Sequence, residues 1–381
     1  MAKRICFVTG TRADFGKLKP LIERIDQSPT FECFIFATGM HALRRYGNTV
    51  NEIKKAGFAN IFLHINQFAD GGSAMDTVLA NTVQGFAHYL REYPADLIVI
   101  HGDRIEAIAC ALVGALNNVL VAHIEGGERS GTIDDSIRHA VSKMAHLHFV
   151  ANEEAKQRLL QLGEREASIH VIGSPDIDVM LSEHLPSLEQ AKNRYEIPFS
   201  EYFIFMYHPV TTELEQLPAN LEAVLSAVVA SQQKFIVIYP NNDAGSEIIF
   251  TELDHLKDNP NLKLYSSLRF EYFLVLLKHA KAIVGNSSAG IREAPVYGVP
   301  TLNIGTRQSA RATTESITNV PEDKDQILGY LTKHPPHRPG SFHFGDGNSA
   351  DLFAKALNKD TFWQTPKQKT FQDLPLEAFP N

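Results

Sequence analysis

Residues 97–127 read LIVIHGDRIEAIACALVGALNNVLVAHIEGG. LIVIH and VLVAHI are short runs rich in Val and Ile, apolar on both faces, as strands covered on both sides of a parallel sheet are. IEAIACALVGAL between them carries the longer pattern of a helix. Strand, helix and strand make a βαβ unit, and each strand ends in polar residues and glycine, HGDR at 101–104 and HIEGGE at 123–128.

The same rhythm runs outward from this unit in both directions. It predicts strands at 4–9, 33–38, 61–65, 146–151 and 169–172 in the first half, and at 203–207, 235–239, 262–265, 282–284 and 301–304 in the second. Helices are predicted at 214–232, 322–333 and 348–358, and the polar, proline-bearing stretch 174–199 is the expected crossing between domains. The fold class is α/β throughout. A chain of 381 residues is long enough for two such domains. We place them at 1–180 and 195–347, with a last helix and tail at 348–381.

Composition narrows the function. Lys+Arg 36 against Asp+Glu 44 gives a net charge of −8, the wrong sign for a protein whose main work is neutralising nucleic-acid phosphates. Cys6, Cys33 and Cys110 each sit inside an apolar run, which predicts buried free thiols in a reducing, cytoplasmic setting rather than a disulfide framework. No run approaches the ~20 apolar residues of a membrane span, and ICFV leads straight into TGTRADFG with no room for a signal peptide. No membrane and no nucleic-acid partner is expected.

In open parallel sheets ligands bind outside the carboxyl ends of the strands, so the residues there carry the chemistry. GNSSAGIREAP (285–295) puts small residues after a strand and at the start of a helix, the arrangement of a phosphate cradle at Ser287 and Ser288, although a plain N-cap reads the same way. Glu293, a turn further on, could accept hydrogen bonds from ribose hydroxyls. TGTRADFGKLKP (9–20) is a second such turn, where Arg12 is a fork-shaped donor for phosphate oxygens. Its glycines do not make G-x-G-x-x-G, so a nicotinamide cofactor is not expected. Asp103 and Arg104 in HGDR, with Glu125, Glu128, Asp134 and Asp135 in HIEGGERSGTIDDSIRH (123–139), bring carboxylates to one sheet edge, as general acid and base catalysis needs. Asp103, Asp134 and Asp135 could equally cap helices. Glu125 leaves the strand face only if it lies past the sheet edge. His208 closes a strand in YHPVT; the alternating His146 and His148, and the DID at 176–178, fall short of a metal site.

GTRADFGKLKP, ATGMH, HGDR, HIEGGE, GTIDDSIRH, GSPDID, YHPVT, GNSSAGIREAP and GTRQSAR, in this order, resemble the UDP-N-acetylglucosamine 2-epimerases, and among them the hydrolysing branch that supplies N-acetylmannosamine or a close relative for sialic-acid-type sugars. The resemblance runs from about residue 3 to about 358. It implies two Rossmann-like domains facing each other across a cleft, a glycosyltransferase-B-like arrangement, with the last helix returning to the first domain. It implies Asp103, Glu125 and Asp134 as catalytic acids, with Arg104 beside Asp103. His208, Ser287, Ser288 and Glu293 would hold the diphosphate and ribose of UDP, Arg12 and Arg311 would line the same cleft, and Phe270 would meet the uracil ring. UDP would leave with its charge met by a cationic or donating His208, a carboxylate would remove the C2 proton, and the resulting glycal would be hydrated. No cofactor and no metal enters that scheme, and the family's habit implies a homodimer or homotetramer. The alternatives are a UDP-N,N'-diacetylbacillosamine 2-epimerase, a non-hydrolysing epimerase, a glycosyltransferase of the same fold and a non-catalytic nucleotide-sugar binder.

Overall fold

The computed structural model describes residues 2–68, 74–130, 132–241, 243–308, 314–333 and 336–373. Two compact units emerge, one of Met1–Glu128, Asp134–Leu181 and His343–Asn381, the other of Arg129–Ile133 and Ser182–Phe342.

The first unit opens with β1 (Lys3–Thr9), α1 (Arg12–Asp26), β2 (Phe31–Ala37), α2 (Val50–Lys55), β3 (Ile61–Leu63), α3 (Met75–Glu92) and β4 (Leu97–His101). It continues with α4 (Ile105–Leu116), β5 (Leu120–Ile124), α5 (Ile133–Met144), β6 (Leu147–Val150), α6 (Glu153–Gln161), β7 (Ile169–Val171) and α7 (Pro175–Met180). Its seven strands lie in the order β3-β2-β1-β4-β5-β6-β7, every pair parallel. Leu97 to Ile100 are fully buried because both faces are covered. Ile5 and Phe7 point into a core with Leu18 and Ile22 of α1, while Cys6 and Val8 point the other way toward Phe86 of α3 and Cys110 of α4. The three cysteines are free and buried, as expected.

The second unit holds α8 (Leu188–Arg194), β8 (Phe203–Met206), α9 (Leu217–Ala230), β9 (Phe235–Ile238), α10 (Ser246–His255) and β10 (Leu262–Tyr265). After them come α11 (Phe270–Lys278), β11 (Ile283–Gly285), α12 (Glu293–Val296), β12 (Thr301–Ile304), β13 (Ile317–Val320) and α13 (Lys324–Lys333). Its sheet runs β10-β9-β8-β11-β12-β13, again all parallel. Strand β13 is absent from the sequence expectation. ITNV is a short edge strand with its middle residues exposed, so it lacks the apolar run that marks the others.

The chain then supplies α14 (Ser349–Leu357) and α15 (Asp360–Trp363), which belong to the first unit. Phe353 and Leu357 pack into the same core as Ile5 and Leu18. Asp178 of α7 caps α14, accepting from the Ser349 and Ala350 N–H groups at 2.9 and 2.8 Å. The other acid of the DID stretch, Asp176, pairs with Lys17 at 3.1 Å, so the two carboxylates serve packing in different directions.

Both sheets reverse direction of winding once, between β1 and β4 and between β8 and β11. Such switch points open a crevice at the carboxyl edge of a doubly wound sheet.

Candidate active site

At the first switch point, α1 begins directly after β1. Thr11 caps it, its Oγ1 accepting from the Asp14 N–H at 3.1 Å. That turn aims the Asp14 carboxylate back at the strand ends, where Oδ2 accepts from the Gly10 N–H at 2.8 Å and Oδ1 lies 2.8 Å from His101 Nδ1. His101 is the last residue of β4, and its Nε2 lies 3.0 Å from Glu125 Oε2, close enough to ion-pair but off the line of a hydrogen bond. Burial works against charge on His101, but Glu125 and Asp14 outweigh it and raise the imidazole to about 9. Burial likewise pushes the Asp14 carboxyl up, and His101 with the Gly10 N–H more than reverses this, holding it below the usual range. At neutral pH the imidazolium stands between two carboxylates.

Glu125 lies one residue past β5, with φ +61 in the left-handed region that costs a non-glycine residue on the order of 1 kcal/mol or more. It is therefore beyond the sheet edge, the condition for reaching the site. Four contacts hold it there. Its N–H donates to the Phe149 carbonyl at 2.9 Å, its carbonyl accepts from Arg138 Nη1 at 2.7 Å, its carboxylate accepts from the Ser174 hydroxyl, and His101 meets the other oxygen. Arg138 also donates to Asp103 through Nη2, so one buried guanidinium ties Asp103 and Glu125 together. Asp134 sits in the first turn of α5, four residues before Arg138 and so on the same helix face.

The capping alternative fails for Asp103. The N-cap of α4 is Arg104, with no side-chain cap bond, and Arg104 Nε instead donates to the buried Glu106 at 3.1 Å. Asp134 and Asp135 lie inside α5 rather than before it. Arg12 is the first residue of α1 and pairs with Glu52 of α2 at 2.7 Å. His146 and His148 serve packing: His148 Nε2 is 3.0 Å from the Glu164 carboxylate, and His146 Nδ1 accepts from the Val121 N–H at 3.1 Å.

The second switch point is closed differently. The His208 N–H donates to Asn286 Oδ1 at 2.7 Å, and Asn286 Nδ2 donates back to the His208 carbonyl at 2.8 Å, stitching the ends of β8 and β11. Gly285 permits this approach: with φ +127, a Cβ there would lie 1.9 Å from the Met206 carbonyl oxygen. His208 Nδ1 accepts from the Asn241 N–H at 3.4 Å, which assigns the proton to Nε2. Burial, reinforced by Arg307, pushes the imidazole well below its usual value. His208 is thus a neutral donor, and the cationic option considered above is corrected.

A second correction concerns the cradle. The sequence suggests one helix after Ser287, whereas the chain makes a 3-10 turn at Ser288–Gly290 and then the four-residue α12. Pro295 has no N–H for the Ile291 carbonyl, so a continuous helix would lose a bond at this turn. The chain after β11 therefore presents a turn, not a long dipole. Ser287 Oγ is occupied by the Ala289 N–H at 3.3 Å, while the N–H groups of Ser287 and Ser288 have no acceptor among the described residues. Glu293 starts α12 and is buried; Phe270 starts α11 and is buried as well, so its ring offers no open face for stacking. Arg311 lies outside the described residues.

Asp14, His101, Arg138 and Ser174 are the members that motif reading did not single out. Asp14 and His101 lie within TGTRADFG and HGDR, but their pairing requires knowing that β1 and β4 are neighbours.

Two doubly wound parallel sheets, each with polar residues gathered at its switch point, define an α/β protein of the glycosyltransferase-B-like class. A solved structure of Methanocaldococcus jannaschii UDP-GlcNAc 2-epimerase in complex with UDP-GlcNAc and UDP has a similar fold, with a TM-score of 0.79 and 20% identity over 93% of this chain and 99% of that one. The chain belongs to the UDP-N-acetylglucosamine 2-epimerase family, matching it over residues 23–358. It is 47% identical to a UDP-N-acetylglucosamine 2-epimerase of Neisseria meningitidis serogroup B over 98% of this chain and all of that protein. It is 33% identical to a hydrolysing UDP-N,N'-diacetylbacillosamine 2-epimerase of Legionella pneumophila, covering 92% of this chain and 94% of the relative. Among the described residues no helix is long and apolar enough to cross a membrane.

Proposed function

We propose that the protein is a hydrolysing 2-epimerase, converting UDP-N-acetylglucosamine or a close 2-acetamido UDP-sugar to the free manno-configured sugar and UDP. The observation that carries the reading is the pair Asp103 and Glu125, fixed by Arg138 at one sheet edge with His101 charged beside Glu125. Glu125, oriented by His101 and Ser174, moves the C2 proton. Asp103 and Asp134 supply the second proton and activate water between them. His208 Nε2–H and the N–H groups of Ser287 and Ser288 receive the diphosphate as the C1–O bond breaks, Glu293 receives the ribose, and Arg12, Arg104 and Arg311 add positive charge. Phe270 contributes through its backbone. The 33% identity to a relative named as hydrolysing supports the choice of branch, and the three buried free thiols fit a cytoplasmic enzyme. A homodimer or homotetramer is the assembly we expect.

The test is product analysis by NMR after incubation with UDP-N-acetylglucosamine. Free UDP together with N-acetylmannosamine is the expected result. UDP-N-acetylmannosamine with no released UDP would move the protein to the non-hydrolysing branch. Turnover only of UDP-N,N'-diacetylbacillosamine would move it to the pathway of the Legionella relative.

A further inference from the structure

The first unit has a second concave site at the opposite edge of its sheet. There, about 15 Å along the strands from His101 and Glu125, the starts of β6 and β7 and the chain from Ala356 to Thr370 flank a half-open pocket of about 350 Å³. That volume lies at the small end of ligand pockets, enough for a substituted monosaccharide.

Its walls are cationic. Arg165, Lys359 and Lys369 line it, against one carboxylate, Glu164. Glu164 is already committed, to Lys143 at 3.1 Å, His148 at 3.0 Å and Lys369 at 2.6 Å. Lys369 in turn is surrounded by the Ser142, Lys143 and Ala145 carbonyls at the end of α5, which leaves none of its three N–H donors free. Arg165 and Lys359 are different. Neither side chain has an ion-pair partner among the described residues, and both border the cavity in a chain of net charge −8. His170 also lines it, stacked on Phe149 at 5.0 Å, and its ring nitrogens have no hydrogen-bond partner among the described residues. Thr361 and Gln364 add neutral polar groups to the lining.

Two unspent cations, an unspent imidazole and neutral polar groups around one cavity suit a molecule with both negative charge and hydroxyls. The geometry points to a binding site for a small hydroxylated organic anion, a monosaccharide carrying a carboxylate or phosphate, held by Arg165, Lys359 and His170 and separate from the switch-point residues. The anion meets Arg165 and Lys359, and the ring hydroxyls meet His170 and the threonine. The site stands independently of the proposed catalytic function, because none of its residues belongs to that set.

The chain's single tryptophan, Trp363, packs at 5.1 Å on Phe362 of the cavity wall and reports on occupancy. Full-length protein is titrated with glucose 6-phosphate, glucuronate, glucose and inorganic phosphate while Trp363 fluorescence is followed. A saturable change with glucose 6-phosphate or glucuronate and none with glucose is expected, and the stronger of the two identifies phosphate or carboxylate as the preferred charge. The Arg165→Ala/Lys359→Ala double variant, checked for unchanged melting temperature, should bind at least tenfold more weakly. Absence of saturation with both sugar anions, or unchanged affinity in the double variant, overturns the site. Inorganic phosphate binding as tightly as either sugar anion removes the sugar from the proposal.

Discussion

At the β1/β4 switch point Asp14, His101 and Glu125 form a run of charged groups, whereas at the β8/β11 switch point Asn286 and His208 occupy the corresponding place as a neutral amide and a neutral imidazole. Burial opposes a charged histidine at both. The neighbours decide the outcome. His101 has two carboxylates within 3.0 Å, and His208 has an amide partner and the positive field of Arg307. One strand order thus yields a site that can store and move protons and a site whose histidine is a neutral donor with the Arg307 guanidinium beside it. The first suits acid and base steps, the second suits an anion that must be held without being protonated.

The comparison breaks first if the charged edge proves dispensable for turnover. Replacing Glu125 with Gln keeps its size and its backbone while removing the charge next to His101. We expect kcat to fall about 10³-fold, within the range for loss of a general acid or base, with UDP affinity unchanged by titration calorimetry. An equal loss of UDP affinity would mean that the first edge binds the nucleotide too. On the other side, Gly285→Ala puts a methyl group 1.9 Å from the Met206 carbonyl oxygen at a φ of +127. The predicted destabilisation is roughly 3 kcal/mol or more, seen as a lowered urea midpoint for the second unit and loss of UDP binding. A variant of wild-type stability would show that the β8/β11 approach is not tight.

How far these edges were legible in the sequence follows from the same contrast. Strands such as Leu97–His101 are apolar on both faces and announce themselves, and among the described strands only the half-exposed β13 escaped. The positions of Asp103 and Glu125 at the sheet edge were legible because they lie within two residues of the ends of such strands. The Asp14–His101 contact was not, since residues 87 positions apart meet only once β1 and β4 are known to be neighbours. The left-handed Glu125 was also hidden, because propensity gives Glu no reason to adopt φ +61; tertiary contacts from Arg138, Ser174 and Phe149 impose it. The break before α12 has a signal in Pro295, whereas GNSSAG marks where a helix can start and not how far it runs.

Titration sharpens the comparison, because the two histidines carry opposite signs. His101 is raised in the folded state, so its contribution is fully present below about pH 6.5 and fades as pH rises through about 9. The stability difference between wild type and His101→Gln should therefore shrink from pH 7 to pH 10, by at most on the order of 3 kcal/mol. His208 is depressed, so keeping it neutral becomes costly below about pH 6.5. The difference between wild type and His208→Gln should shrink toward acid pH instead. Urea midpoints measured across the range decide this. Two difference curves that slope the same way would show that the switch points do not differ in charge.

The smallest effect concerns Arg12, a cation at the acidic edge that is held by Glu52 at 2.7 Å with both side chains under 20% exposed. If Arg12 serves the diphosphate, it must share its guanidinium between Glu52 and the ligand, and Glu52 then orients the fork rather than neutralising it. Glu52→Gln should lower stability by roughly 1–2 kcal/mol, since the pair is mostly shielded from solvent and the amide keeps an acceptor for Arg12 while losing the charge. Its effect on UDP affinity separates the roles. Weaker binding by a few fold means that Glu52 positions Arg12 and that the first edge also contributes to holding the nucleotide. Stronger binding means that Glu52 competes with the phosphates for the same donors. No change in affinity would remove Arg12 from the binding set and leave phosphate recognition to the donors of the second edge.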